Sequence, residues 1–208
     1  MPIVDNYGWS SNRGPASCDF LGPPVIRTLE RLKPRSVLDL GCGNGVLCRE
    51  LVARGYSVTG VEPDSTGISI ARENVPDAKF QQMSVDDDPG ELLKNHPNGF
   101  DVVVSTEVIE HLYEPRRLPE FAAAVLRPGG RLVITTPYHG YLKNLAISLV
   151  NGWDGHADPL WDGGHIKLFS RKKMTQLLKD SQFQMEKFEG VGRVHWLWKC
   201  MLVVARKP

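Results

Sequence analysis

The chain holds few cysteines, no surplus of charge and no long apolar run, and each absence removes a class of protein. Its four cysteines, Cys18, Cys42, Cys48 and Cys200, show no C-x-x-C pairing, which excludes the spacing of a zinc ribbon or a dithiol redox centre. No secretory leader precedes them, so reduced thiols in a cytoplasmic protein are the expectation. Lysine plus arginine number 25 against 24 aspartate plus glutamate, a formal net charge of +1. That balance lacks the electrostatic footprint of a nucleic-acid or membrane-surface protein, and Arg171-Lys172-Lys173 reads as the solvated first turn of a helix. The longest apolar stretches, around residues 145–150 and 196–204, are too short or too interrupted for a membrane span. With no repeat and no low-complexity tract, 208 residues imply one domain over 1–208 with a sizeable core, as a monomer or homodimer.

What is present is more specific. The run Ser36-Val37-Leu38-Asp39-Leu40-Gly41-Cys42-Gly43-Asn44-Gly45 joins an apolar strand, suited to burial on both faces, to three glycines. These turn the chain tightly and let its backbone approach a ligand. One helix length later comes Val58-Thr59-Gly60-Val61-Glu62, with Glu62 lying 21 positions beyond Gly41. At that distance an acidic residue ending the second strand of a βαβ unit meets a ribose diol, so the passage reads as a nucleoside site. The glycine spacing is G-x-G-x-G, with Val46 where a dinucleotide fingerprint needs Gly or Ala, which disfavours a pyrophosphate ligand.

Strand and helix signals alternate from there. Helices are predicted at 46–54, 66–74 and 89–95 and strands at 57–61, 79–83 and 100–105; then come a helix ending near 126, a turn at 127–130 and a strand at 131–136. Such alternation implies a parallel sheet covered on both faces, an α/β architecture. The pattern breaks at 137–170, where Tyr138, Tyr141, Trp153 and Trp161 sit among Gly, Asn and Asp residues, and this stretch reads as a substrate lid. A helix at 171–179 and strands at 182–189 and 199–206 close the chain. Residues 1–35 read as a cap, in which Tyr7, Trp9 and a helix at 24–32 would cover the ligand from the other side.

The glycine run resembles the first motif of class I S-adenosylmethionine (SAM) dependent methyltransferases. Phe100-Asp101-Val102-Val103-Val104-Ser105 with Glu110-His111-Leu112, Leu126-Arg127-Pro128-Gly129-Gly130-Arg131-Leu132, and Gly164-His165 with Phe169-Ser170 are similar to later landmarks of that family, the ubiquinone-biosynthesis O-methyltransferases above all. The resemblance implies a Rossmann-like, doubly wound sheet of seven strands, mostly parallel, with the last strand inserted antiparallel and a SAM-binding core over 36–136. It implies SAM as cofactor, with Asp39 orienting the loop or meeting the methionine ammonium, and with Ser84, Val85 and Asp86 lining the adenine pocket, where Asp87 is an alternative partner of the amine. Gly41, Cys42, Gly43, Gly45, Glu62, Pro63, Thr106 and Glu107 complete the cofactor set.

Glu107-Val108-Ile109-Glu110-His111 carries the remaining chemistry. On a helical turn, positions i, i+3 and i+4 share a face, so two carboxylates and an imidazole would converge. Oxygen-rich coordination favours Mg²⁺ or Mn²⁺, and histidine admits a softer divalent ion. The E-x-x-E-H pattern resembles that of the ubiquinone-pathway enzymes and of small-RNA 3′-terminal 2′-O-methyltransferases, which use a further downstream histidine in a place comparable to His165. The metal set is then Glu107, Glu110, His111 and His165; alternatively the set shapes the pocket and His111 is a general base, with His139 and His165 as rivals. His96, His156 and His195 read as loop or surface residues. The expected activity is O-methylation of a small hydroxylated, flat acceptor. Open alternatives are an N- or carboxyl-directed small-molecule methyltransferase, an RNA 3′-terminal 2′-O-methyltransferase, and a SAM-binding partner subunit without turnover.

Overall fold

In the computed structural model, which describes residues 8, 9, 11, 13–161 and 163–208, the strands follow the apolar runs. β1 (Ser36–Leu40), β2 (Ser57–Glu62), β3 (Lys79–Gln82), β4 (Phe100–Thr106), β5 (Leu126–Pro137), β6 (Gln184–Val191) and β7 (Cys200–Arg206) form one sheet in the order β3-β2-β1-β4-β5-β7-β6. The first five pair in parallel, and β7 runs antiparallel between β5 and β6. The expected seven-stranded, doubly wound sheet with an antiparallel last strand is therefore observed. Tyr7 lies outside the described residues.

Alternate side chains of the strands feed two cores. Leu38, Leu40, Val103 and Ile134 pack on one face with Leu92 of α4 (Gly90–Asn95), Phe121 of α5 (Arg117–Val125) and Met174 and Leu178 of α8 (Arg171–Asp180). Val37, Val58, Val102, Val104 and Val133 pack on the other with Val25 and Leu29 of α1 (Ser17–Leu32), Leu51 of α2 (Val46–Val52) and Ile68 of α3 (Ser65–Asn74). Both faces are dry, which explains why the central strands read as continuous apolar runs rather than alternating ones. Truncating a fully buried leucine such as Leu38 would cost about 2–5 kcal/mol.

Three local differences from the sequence reading have physical causes. α1 starts at Ser17, well before the expected 24, and carries Pro23 and Pro24 inside it; a proline marks a helix start only when nothing upstream supports a turn. The expected turn at 127–130 is a bulge within β5, where Phe100 pairs with Leu126 but Val102 pairs with Arg131, and Gly129 takes φ 74° at the kink. The stretch expected as a lid contains two helices, α6 (Tyr141–Leu149) and α7 (Trp153–His156). α6 buries Lys143 alone and leaves Tyr141 and Leu149 nearly four-fifths exposed, the reverse of the amphipathic pattern by which a helix is recognised.

Strand order reverses between β1 and β4. In such sheets the crevice for ligands opens outside the carboxyl ends of the strands at this switch point, and the glycine loop, Glu62 and the Glu107–His111 segment all leave those ends.

Candidate active site

A cavity of about 950 Å³ opens there. It is lined by Asp39, Gly41, Cys42, Gly43, Glu62 and Pro63 from the ends of β1 and β2, by Val85 and Asp86 after β3, and by Thr106, Glu107, His111 and His165. Gly45, Ser84, Glu110 and His139, also expected at the site, do not line it. Gly45 serves the loop instead: it takes φ 81° at the entry to α2, and a Cβ there would meet Ala71 at 2.9 Å. Ser84 folds its own loop, its hydroxyl accepting from the Asp86 amide at 3.1 Å and its amide donating to the Asp87 carboxylate at 2.7 Å.

Glu62 is positioned by the backbone it helps to fold. Its carboxylate accepts from the Gly43 amide at 2.9 Å and the Asp64 amide at 3.1 Å, tying the glycine loop to the end of β2. Burial raises its pKa, against the lowering effect of those two amides. Asp39 is deeper still. The Cys48 thiol donates to Oδ2 at 3.3 Å, while Oδ1 is buried without a hydrogen-bond partner among the described residues. Burial pushes the Asp39 pKa up to about 7. A carboxyl group in this state awaits a positive charge or a donor from the cavity side.

Glu107 does not join Glu110 and His111 in one cluster of donor atoms. β4 ends at Thr106 and Glu107 takes φ 54°, a left-handed conformation that costs a residue with a side chain about 1–2 kcal/mol. The chain then makes a 3₁₀ turn at Ile109–His111. The α-helical i, i+3, i+4 face is therefore absent, and the Glu107 carboxylate accepts from the Thr135 hydroxyl at 3.1 Å and the Cys200 thiol at 3.3 Å. Burial raises its pKa to about 7 in spite of those bonds and the nearby Lys143 ammonium. Glu107 as a ligand beside Glu110 is thus corrected: the donor atoms within 4.8 Å of one another, among the described residues, belong to Glu110, His111 and His165.

That trio is well ordered by its surroundings. Glu110 is fully buried; Oε2 accepts from the Thr136 hydroxyl at 2.9 Å, and Oε1 has no hydrogen-bond partner among the described residues. The Glu110 carbonyl accepts the Ile166 and Lys167 amides, which fixes the chain just after His165 against it. His111 Nδ1 lies 2.7 Å and 3.1 Å from the carbonyl oxygens of Gly163 and Gly164. Since carbonyls only accept, the proton sits on Nδ1 and the lone pair on Nε2, the orientation that carbonyl partners impose on metal-binding histidines. His165 Nε2 stands 4.0 Å from Glu110 Oε1. This is not an ion pair. Burial, then Glu107, raises the Glu110 pKa well above the usual carboxylate range, and burial lowers His165 to about 4. An orphaned carboxyl oxygen facing two neutral imidazoles fits a divalent ion, in a two-histidine, one-carboxylate set.

His139 stands outside the cavity lining. It is buried under the lid, its Nδ1 3.1 Å from Asn144 Oδ1 and its ring 5.1 Å from that of His156; burial, then Lys143, pushes its pKa down to about 4. His156 is accordingly not a simple surface residue, for its Nε2 is buried. Of the lid aromatics only Trp161 lines the cavity, edge-on to His111; Tyr138 is in the core, Tyr141 faces solvent and Trp153 packs on His139. Sequence reasoning missed Tyr113, Glu114 and Arg117, which form the cavity mouth and follow immediately on Glu110-His111-Leu112, where a short extension of the motif would have found them.

A doubly wound sheet with a glycine loop and an acidic strand end at its switch point defines a nucleoside-binding domain of the class I methyltransferase fold. The chain belongs to the methyltransferase-domain family, whose model matches residues 19–187. It is 35% identical over 122 residues to a ubiquinone biosynthesis O-methyltransferase of Coxiella burnetii, covering 56% of this chain and 51% of that protein. It is 29% identical over 171 residues to one of Bradyrhizobium, covering 79% and 64%. The chain thus spans about half the length of the first of these curated relatives. Among solved structures, a SAM-dependent methyltransferase of Methanosarcina mazei superposes with a TM-score of 0.67 at 22% identity, over 88% of this chain and 97% of that one. Magnesium protoporphyrin IX methyltransferase of Synechocystis, with S-adenosylhomocysteine bound, gives 0.69 at 15%, over 97% and 91%. At these identities the likeness is one of fold. No helix among the described residues is long and apolar enough to cross a membrane.

Proposed function

We propose that the protein transfers the methyl group of SAM to a hydroxyl of a small, flat acceptor, and that Glu110, His111 and His165 prepare that hydroxyl. The observation that carries this reading is the position of the orphaned, fully buried Glu110 Oε1 beside His165 Nε2 and His111, two histidines that line the same cavity as Asp39 and Glu62. A volume of about 950 Å³ is at the upper end of the roughly 300–1,000 Å³ of small-molecule pockets, room for a cofactor and a modest acceptor together.

Glu62 would take the ribose hydroxyls and Asp39 the methionine ammonium, which sets the methyl group toward the His111 side of the cavity. In-line displacement at a sulfonium discharges a cation, so alignment contributes more than charge stabilisation. A hydroxyl, unlike an amine, must also lose its proton. Neutral His111, its Nδ1 proton held by two carbonyls, presents Nε2 to take it. Alternatively, with His111 Nε2 engaged as a ligand instead of a base, Glu110, His111 and His165 would hold a divalent ion, whose chemistry when bound would be to lower the acceptor pKa. Trp161, edge-on to His111, offers an apolar wall to a flat ring.

The test is S-adenosylhomocysteine formation from SAM with catechols, other phenols, amines, carboxylates and short RNA, each with Mn²⁺ or Mg²⁺ and with chelator. Chelator-sensitive turnover of catechols supports the whole reading. Chelator-resistant turnover of phenols supports His111 as base without an ion. Turnover confined to amines, carboxylates or RNA overturns the acceptor class.

A further inference from the structure

Ahead of α1, the amino-terminal segment lies across the glycine loop. Trp9 packs so closely on two glycines that neither could carry a side chain: a Cβ on Gly43 would stand 2.4 Å from its Cζ2, and a Cβ on Gly67 would stand 2.8 Å from its Cδ1. Gly43 belongs to the cofactor loop. Gly67 does not; it is in the first turn of α3, its amide capped by Asp64 Oδ1 at 3.0 Å. No left-handed φ calls for glycine at 67, and glycine weakens a helix. Close approach of the Trp9 ring accounts for it, with the Gly43 carbonyl oxygen a looser neighbour at 3.3 Å.

The segment is tied down as well as packed. Asn44, within the glycine loop and only 2% exposed, donates from Nδ2 to the Ser11 and Arg13 carbonyls, both at 2.8 Å. A Cβ on Gly14 would meet Cys18 Sγ at 2.9 Å and Val46 Cγ1 at 3.2 Å, so the same segment also lies against the start of α2. Trp9 and Asn44 both line the cavity that holds Glu62. The contacts form a chain: Trp9 on Gly43, and the Gly43 amide on the Glu62 carboxylate.

We infer that Trp9 is a positioning residue for the cofactor: held by Asn44, it closes the outer wall of the nucleoside pocket, keeps water from Glu62 and fixes the glycine loop in its binding shape. This inference rests on the reading of the cavity as a SAM site. Its class of ligand is an adenine nucleoside bearing a ribose diol, and its contribution is to the lifetime of the bound cofactor rather than to the reacting atoms. An ordered, water-excluding aromatic wall strengthens the hydrogen bonds inside it.

Calorimetric titration of S-adenosylhomocysteine into the whole chain tests it, using wild type, W9A, G67A, N44A and the double variant W9A/G67A. W9A is expected to weaken binding about tenfold or more. G67A is the sharper variant, because its new methyl group meets Trp9 and is not part of the cavity wall. It should weaken binding comparably while the ligand-free melting temperature holds or rises, and it should add nothing in the W9A background, the signature of one shared contact. N44A should weaken binding in the same direction. Wild-type affinity in both W9A and G67A overturns the inference, as does tighter binding by W9A, which would mean that the ring occupies cofactor space. Failure of wild type itself to bind S-adenosylhomocysteine overturns the cofactor reading instead, and the two failures are thereby distinct.

Discussion

Replacing Asp39 by asparagine should make the ligand-free protein more stable at neutral pH and a poorer binder of its cofactor. Asp39 is buried almost completely, with one carboxyl oxygen left without a partner among the described residues. Burial moves its pKa from 3.8 to about 7. A raised carboxyl pKa means that the folded state keeps a proton which the unfolded chain has already released. Stability therefore falls as pH climbs from about 4 to about 7, and is flat on either side. Roughly three pH units at about 1.4 kcal/mol each amount to about 4 kcal/mol. The substituted asparagine cannot ionise and escapes that loss, although its amide nitrogen brings a donor that costs about 1–3 kcal/mol if it stays unpaired. This offset is independent of pH. The quantity to measure is the difference in unfolding free energy between D39N and wild type, from urea titrations at intervals between pH 4.5 and 8.5 without ligand. It should move in favour of D39N by most of that amount on the way up to pH 7. A difference that stays constant with pH would refute the reasoning, since the other titrating groups are common to both proteins. The same carboxylate should make wild-type affinity for S-adenosylhomocysteine rise with pH up to about 7, by at most about tenfold per unit, and this dependence should vanish in D39N.

The remaining expectations concern the imidazole–carboxyl trio and one packing contact. E110Q should leave the ligand-free protein at least as stable as wild type at pH 7, because burial already holds Glu110 protonated, while abolishing any rise in melting temperature produced by Mn²⁺; a clear loss of ligand-free stability would count against a neutral Glu110. E107Q should keep that Mn²⁺ response, since Glu107 bonds to Thr135 and Cys200 rather than to the trio, and its loss would return Glu107 to the ligand set. G190A would place a Cβ 2.0 Å from Cδ2 of Trp198, and overpacking of this kind costs about 1–3 kcal/mol, read as a lower urea midpoint with an unchanged slope.

The parts of the molecule legible from sequence are those whose signal is local and repeated. β1, β4 and the apolar half of β5 are runs that only a doubly covered sheet accommodates, and the 21-residue interval from Gly41 to Glu62 is set by the length of one strand, one helix and one return. Side-chain direction after β4 was not legible, because it hangs on a single torsion. Glu107 at φ 54° converts what reads as a helical turn into a reversal followed by a 3₁₀ turn, and so separates two carboxylates that spacing alone would put together. The lid failed for another reason: α6 hides a lysine and shows its leucines, so the pattern that identifies a helix points the wrong way.

These two failures meet in one place. Lys143, inverted into the core by α6, donates from Nζ to the Lys199 carbonyl at 3.0 Å, next to Cys200, whose thiol bonds to Glu107. Burial lowers the Lys143 pKa to about 8, while Cys200 and Glu107 act to raise it. The left-handed Glu107 and the inverted helix are thus two sides of one arrangement. Glu107 is drawn toward β7 and the buried end of Lys143, which leaves Glu110 as the carboxyl group facing His111 and His165. Residues that break a local rule gather where function asks for an unusual geometry, and here the two that defeat pattern reading are the two that decide which carboxylate the site presents.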